Sequence, residues 1–409
     1  MTGRDIVCLS TQDWNGLWTR KQRFMQMFAE AGNRVLYIET PVHLLGLDVL
    51  PKDPLRFFRF MSGPRPIADR LFVGTLPVLL PMFQMSHRVN RANHVVIRAL
   101  LRRWIDKLQF RDVLFWIYTP SSAPLITGNQ FDAVYECVDE FRAARGFISP
   151  RVIGQMEDDL LRRVRFAIVT QENLLPHRAS ICPNTFCVPN AADVALFTDA
   201  AFGRMEIPED IARIPGPRLG FIGHIQYWID LKLIRFLAEQ RPDWSFVLVG
   251  PTAPLARLDV IKRLSNVHLL GRKPEELIPA YLQAFDCCLN PYVMGPLANY
   301  CSPLKLYEYL AAGKPVVSTD MPEARKFPGD VDIASTYEEF LRFCDYRISN
   351  LPESRQAIEM RLKIATPHSW QTRFTQINYI LDEVLERRSL DERGLKPAIT
   401  FRRQDGSQM

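Results

Sequence analysis

Cys301-Ser302-Pro303-Leu304-Lys305-Leu306-Tyr307-Glu308-Tyr309-Leu310-Ala311-Ala312-Gly313-Lys314-Pro315-Val316-Val317 is the stretch whose reading organises the rest of the chain. Ser302 makes a good N-cap, Pro303 suits the first helical position, and Gly313 suits the left-handed residue that closes a helix. Leu304, Tyr307, Leu310 and Ala311 recur at helical spacing and form a buried stripe, while Lys305 and Glu308 share another face. Lys305 breaks the pattern. It stands where a capping box places Glu or Gln, and it puts a cation at the positive end of the helix. A phosphate held by this lysine and the helix-start amides resolves the misfit. Glu308, one turn on, then accepts hydrogen bonds from sugar hydroxyls. An exposed Lys–Glu pair on an ordinary helix fits the same spacing.

Outward from this helix, short β-branched runs alternate with amphipathic stretches. Arg218–Ile222, Phe246–Val249, Val267–Leu270, Cys287–Asn290 and Pro315–Ser318 read as strands, with helices over Leu231–Gln240, Glu275–Gln283 and Pro303–Ala312. The first half repeats the theme with strands Ile6–Leu9, Arg34–Ile38, Val113–Tyr118, Ala133–Cys137 and Phe166–Thr170 and helices Trp18–Ala31 and Arg151–Arg163. Continuous apolar strands alternating with helices predict parallel sheets covered on both faces. The spacing divides the chain into a first Rossmann-like domain over 1–200, a Pro-rich linker over 201–217 and a second such domain over 218–366. A long helix over 367–388 and a polar tail over 389–409 complete it. Ligands in such folds bind beyond the carboxyl ends of the strands.

Composition narrows the classes. With 409 residues, 47% hydrophobic and 23% charged, the chain is globular and long enough for two cores. Its 51 Lys+Arg against 45 Asp+Glu give +6 and a pI near 8.9, too weak a bias to argue for nucleic acid. The eight cysteines show no C-x-x-C and sit mostly in apolar runs, which predicts free buried thiols and a cytoplasmic setting. The amino terminus has no signal-peptide layout, and no run reaches the ~18 apolar residues of a spanning helix. Asp330-Val331-Asp332 has D-x-D form but lacks a matching context, and the histidines show no metal-ligand spacing. No metal or cofactor is expected.

The run from Ser302 to Thr319 resembles the nucleotide-sugar-binding helix of GT-B glycosyltransferases, in the broad "group 1" set that builds bacterial polysaccharides. Gly220-Phe221-Ile222-Gly223-His224-Ile225 is similar to the glycine loop after the second domain's first strand. Leu248-Val249-Gly250-Pro251 resembles the next strand end, and Asn266 to Gly271, with Leu270, the strand and turn that contact the base. Val188-Pro189-Asn190-Ala191-Ala192-Asp193 with Phe197 resembles the close of the first domain. His368-Ser369-Trp370 resembles the start of a terminal helix that crosses back to the first domain.

The resemblance implies transfer of a sugar from a nucleotide donor, expected to be a UDP-sugar, to a hydroxyl of a cell-surface glycan or lipid-linked acceptor. Gly223, His224, Gly250, Leu270, Ser302, Lys305 and Glu308 are the implied donor-binding residues. The loop carrying Asn15, Gly16 and Arg20, with Lys21, is implied at the cleft, Arg20 and Lys21 as cleft cations or as helix surface. In the first domain, Asp139 and Glu140 follow a strand end; Asp139 is the expected general base and Glu140 the alternate. One departure stands out. Many retaining members carry Glu-x7-Glu ending at the position of Glu308, but the earlier position is Tyr300, and no Glu lies within Asn290–Cys301. With one carboxylate missing and an acid pair in the acceptor domain, the expectation is direct displacement with inversion. A UDP-sugar 2-epimerase on the same fold, or a non-catalytic glycan- or nucleotide-binding subunit, are the alternatives.

His87–Leu108 combines an apolar face (Val89, Ala92, Val96, Leu100 with Ile97, Leu101, Trp104, Leu108) with aligned Arg91, Arg98 and Arg102. Leu55-Arg56-Phe57-Phe58-Arg59-Phe60 alternates cations with aromatics. This mix suits peripheral contact with an anionic membrane, such as the inner face of the plasma membrane, as well as a core-facing helix with a solvated basic side.

Overall fold

Runs buried on both sides settle where the strands form: Ile6 to Cys8, Val35 to Tyr37 and Phe246 to Val249 are almost wholly inaccessible. The computed structural model describes residues 1–41, 59–77, 79–126, 132–253 and 256–392. Leu55–Phe58 of the aromatic–cation run and the tail beyond Glu392 lie outside the described residues.

The first sheet is built from β1 (Asp5–Leu9), β2 (Arg34–Ile38), β3 (Arg65–Ala68), β4 (Leu71–Gly74), β5 (Leu114–Ile117), β6 (Asp132–Cys137), β7 (Phe166–Val169) and β8 (Thr185–Cys187). Their order is β3-β4-β2-β1-β5-β6-β7-β8, parallel except at the β3–β4 edge, with Val7 opposite Leu36 on one side and Phe115 on the other. The second sheet contains β9 (Arg218–Ile222), β10 (Ser245–Val249), β11 (Val267–Gly271), β12 (Cys287–Asn290), β13 (Val316–Thr319) and β14 (Val331–Ala334). It is parallel throughout, in the order β11-β10-β9-β12-β13-β14. In each sheet the order reverses beside the first strand, and that reversal opens a crevice at the strands' carboxyl ends.

The edge strands β3, β8 and β14, and β4 next to the edge, go beyond the sequence reading. They are short, and their outer faces carry Arg65, Pro66 and Asp332, which blurs the apolar run that marks central strands. Ile211 and Ile214, from the stretch read as a linker, are buried in the second core, as is Phe197. The helix Trp370–Glu392 begins in the second half but packs on the first core. Phe374 lies 4.9 Å from Phe28 and Trp370 5.5 Å from Phe24, ring to ring. Two chain crossings lie side by side there, joined by a bridge between Ala192 and Ser369. All eight cysteines are free, six of them buried.

Candidate active site

On the expected donor side, Gly223 directly follows β9 and Gly250 directly follows β10, both at φ +142°. A Cβ on Gly250 would stand 2.0 Å from the Gly223 carbonyl oxygen, and one on Gly223 would stand 2.8 Å from Lys305 Cε. Only glycines let these loops stack against the lysine. Lys305 is buried, which departs from the exposed Lys–Glu pair as an alternative. Its ammonium lies 4.9 Å over the rings of Phe221 and Tyr292 and donates to the Tyr292 hydroxyl at 3.0 Å. Burial pulls it down to about 8, opposed by Cys301 and Glu308. Among the described residues no carboxylate comes within ion-pair distance of it. A buried cation at a helix start, with only aromatic and hydroxyl partners, can receive an anion.

Ser302 does not cap this helix. The helix runs Leu304–Ala311 with Pro303 before it, and the Ser302 hydroxyl donates to the buried Glu323 at 2.9 Å. Glu308, half-buried one turn on, is pushed up to about 7 by desolvation; Arg23 pulls it down and Glu275 pushes it further up. His224 is half-buried, with its ring lowered by desolvation and by Lys305, so it is neutral at physiological pH. Leu270 is half-buried on β11, the strand whose Gly271 carbonyl accepts from Gly250 N–H at 2.8 Å.

Across the cleft, Asp139 keeps an exposed surface while the walls around it desolvate its carboxyl and raise it, with Lys21 opposing. Its charge is felt by Tyr292 and Cys301, the residues that also flank Lys305. Glu140 is not a rival base: it is buried, held by Arg178 Nη1 at 2.8 Å, and accepts from the Arg142 N–H at 3.1 Å. Arg20 is neither cleft cation nor surface. It pairs with the buried Glu136 at 2.5 Å and donates to the Val188 carbonyl and Asn190 Oδ1, each at 3.0 Å. Asn190 Nδ2 then donates to the Ser302 carbonyl at 2.6 Å, linking the first core to the start of the lysine helix. Lys21 is buried against the Tyr118 ring, 5.6 Å from its centre. Gly16 makes its close approach to its own loop, Gln12 and Asp13, while Arg272 donates to the Asn15 and Gly16 carbonyls at 3.2 and 3.1 Å.

The sequence reading missed Arg23, which pairs with Glu275 across the cleft, and Tyr292. Arg23 lies one helical turn after Arg20, so the basic cluster itself was the available signal. Tyr300 packs on the first domain's apolar cluster. Asp332 is held by Arg347 at 2.6 and 3.0 Å. Glu157, Asp158 and His177 converge closely enough for a metal. Cations already bridge them: Arg142 Nη2 lies 2.7 Å from Asp158 and 2.8 Å from His177, and Arg178 holds Glu157.

Residues 216–334 match the family described as glycosyl transferases group 1. A stretch of 170 residues is 35% identical to TuaH of Bacillus subtilis (strain 168), named as a teichuronic acid biosynthesis glycosyltransferase; it covers 39% of this chain and 41% of that protein. Sucrose-phosphate synthase from Thermosynechococcus elongatus superposes with a TM-score of 0.71 at 13% identity, covering 94% of this chain and all of that one. Anabaena HepE, in complex with UDP and glucose, gives 0.65 at 14% identity over 93% and 99%. An α,α-trehalose-phosphate synthase (UDP-forming) from Burkholderia vietnamiensis gives 0.68 at 13% over 95% and 99%. The fold is GT-B, and the similarity to glycosyl transferases group 1 lies within the second domain.

Proposed function

We propose that this protein transfers a sugar from a UDP-sugar to a hydroxyl of a cell-surface glycan or lipid-linked acceptor, with inversion at the anomeric carbon. The observation that carries the reading is Lys305: a buried ammonium without an anionic partner among the described residues, above two stacked glycine loops at a helix start. That arrangement fits a diphosphate. The solved neighbour with UDP and glucose and the teichuronic acid relative agree with a nucleotide sugar and a cell-surface product.

In the proposed step, Asp139 takes the proton of the acceptor hydroxyl as its oxygen bonds to the anomeric carbon. The bond from that carbon to the diphosphate breaks, and the leaving charge settles on Lys305 and the helix-start amides. Glu308 positions ribose or sugar hydroxyls. Because a lysine and a helix start supply the positive charge, activity should survive EDTA; loss restored by manganese or magnesium would contradict this. The test is turnover of a nucleotide-sugar panel with acceptor extracts, followed by proton NMR of the new linkage. A β-linkage from an α-linked donor is expected, and a small anomeric coupling typical of an α-gluco product would refute inversion. Epimer formation from UDP-N-acetylglucosamine without acceptor would overturn the transferase reading.

A further inference from the structure

The helix His87–Lys107 has an outward face that a solvated surface does not explain. Its inner side buries Asn90, Asn93, His94, Ile97, Leu101 and Trp104, so half of the apolar face read from the sequence is core. The other half is not. Val95 and Val96 are 71% and 51% exposed, and Ala92 and Ala99 are exposed beside them. At about 3.6 residues per turn these four fall on one side, together with Arg88, Arg91, Arg102 and Arg103. All four arginines are exposed, and none makes an ion pair among the described residues. The helix carries six Lys/Arg against the single acid Asp106. The segment leading into it exposes Leu80 and Met82, with Met82 held at a left-handed φ of +61°. Met82 and the exposed Phe147 line one groove of about 320 Å³ between Pro81–Gln84 and Phe141–Ile148, and Phe141 follows Asp139 and Glu140 directly.

We propose that this face docks on an anionic lipid bilayer, with Val95, Val96, Leu80 and Met82 entering the interface and the arginines contacting headgroups. The chemistry decides the partner. Arginines flanking a short apolar strip match a surface that is negative outside and apolar beneath. A nucleic acid gives exposed valines and methionines nothing to bury against. An acidic protein would be the remaining fit, and the test separates it.

Flotation of the full chain with vesicles of phosphatidylcholine, with and without phosphatidylglycerol, reads the proposal directly. Binding should require the anionic lipid and weaken as salt rises. Arg91→Ala and Arg102→Ala should each weaken it about five-fold. Val95→Asp with Val96→Asp should abolish it with an unchanged melting temperature, since both side chains are exposed. Equal binding to neutral vesicles, or full binding by the variants, would overturn the proposal. So would gel filtration in which Val95→Asp turned a dimer into a monomer, which would make this a protein interface. No nucleotide sugar enters the assay, so its outcome is independent of the transferase reading.

Discussion

Replacing Lys305 with methionine should make the empty protein more stable and the nucleotide complex weaker. Methionine matches the lysine stem as far as its ε carbon, and it removes the ammonium that lies over Phe221 and Tyr292. Burial takes the lysine from its ordinary 10.5 to about 8. At about 1.4 kcal/mol per unit, keeping it protonated costs the empty protein about 3 kcal/mol as an order of magnitude. The sign follows from a native value below the unfolded one. The cost is complete below pH 8, shrinks between 8 and 10.5, and vanishes where the lysine is neutral in both states. Urea unfolding should therefore show Lys305→Met stabilised at pH 7 and matched to the parent near pH 10.5. Isothermal titration with UDP should show roughly 10- to 100-fold weaker binding, the worth of one charge-assisted hydrogen bond of about 1.5–3 kcal/mol. Unchanged affinity would sink the anion role. Destabilisation at pH 7 would show that the bond to Tyr292 outweighs desolvation, contrary to the reasoning. Alanine tests this less cleanly, because it opens a void over Gly223.

Asp139→Asn should retain UDP binding and lose about 10²- to 10⁴-fold in turnover, measured by UDP release. Glu140→Gln should keep turnover while costing about 1–3 kcal/mol in urea unfolding, since Arg178 loses a charged partner. Glu308→Gln should stabilise the protein above pH 7 and do nothing below 4.5, because the native carboxyl sits at about 7 and its ionisation is what burial opposes; a stability–pH curve shows either outcome. Gly250→Ala should cost more than about 2 kcal/mol by thermal unfolding and remove UDP binding, because the added carbon meets the Gly223 carbonyl at a φ that only glycine tolerates.

The central strands and the Lys305 helix were legible because their signals are local: an apolar run, a misplaced cation, a closing glycine. Lys305's burial was not, since its cover comes from Phe221 at the end of β9 and Tyr292 just past β12, far along the chain. Arg20 shows the same limit. A basic residue in the first turn of a helix reads as surface until Glu136, more than a hundred residues later, is placed beneath it. Asp139 and Glu140 are adjacent acids with opposite fates, and only Arg178, brought over by a helix after β7, separates them. The His87–Lys107 helix carried one apolar pattern for two surfaces, and spacing does not say which of them the core takes.

The side-by-side crossings at Ala192 and Ser369 have a mechanical consequence. Two strands of chain tied together by backbone hydrogen bonds, from Ala192 N–H to the His368 carbonyl and from Trp370 N–H to the Ala192 carbonyl, form a strap rather than a single thread. A single thread would let the domains swivel and slide; a strap permits chiefly one bending axis. Arg23 braces that strap, 3.7 Å from Asp193 and 5.8 Å from the centre of the Trp370 ring, while it pairs with Glu275 of the second domain. Bending about the strap moves the Asn190–Ser302 contact little, because that contact lies next to it. The start of the lysine helix is thus registered to the first core at the strap itself.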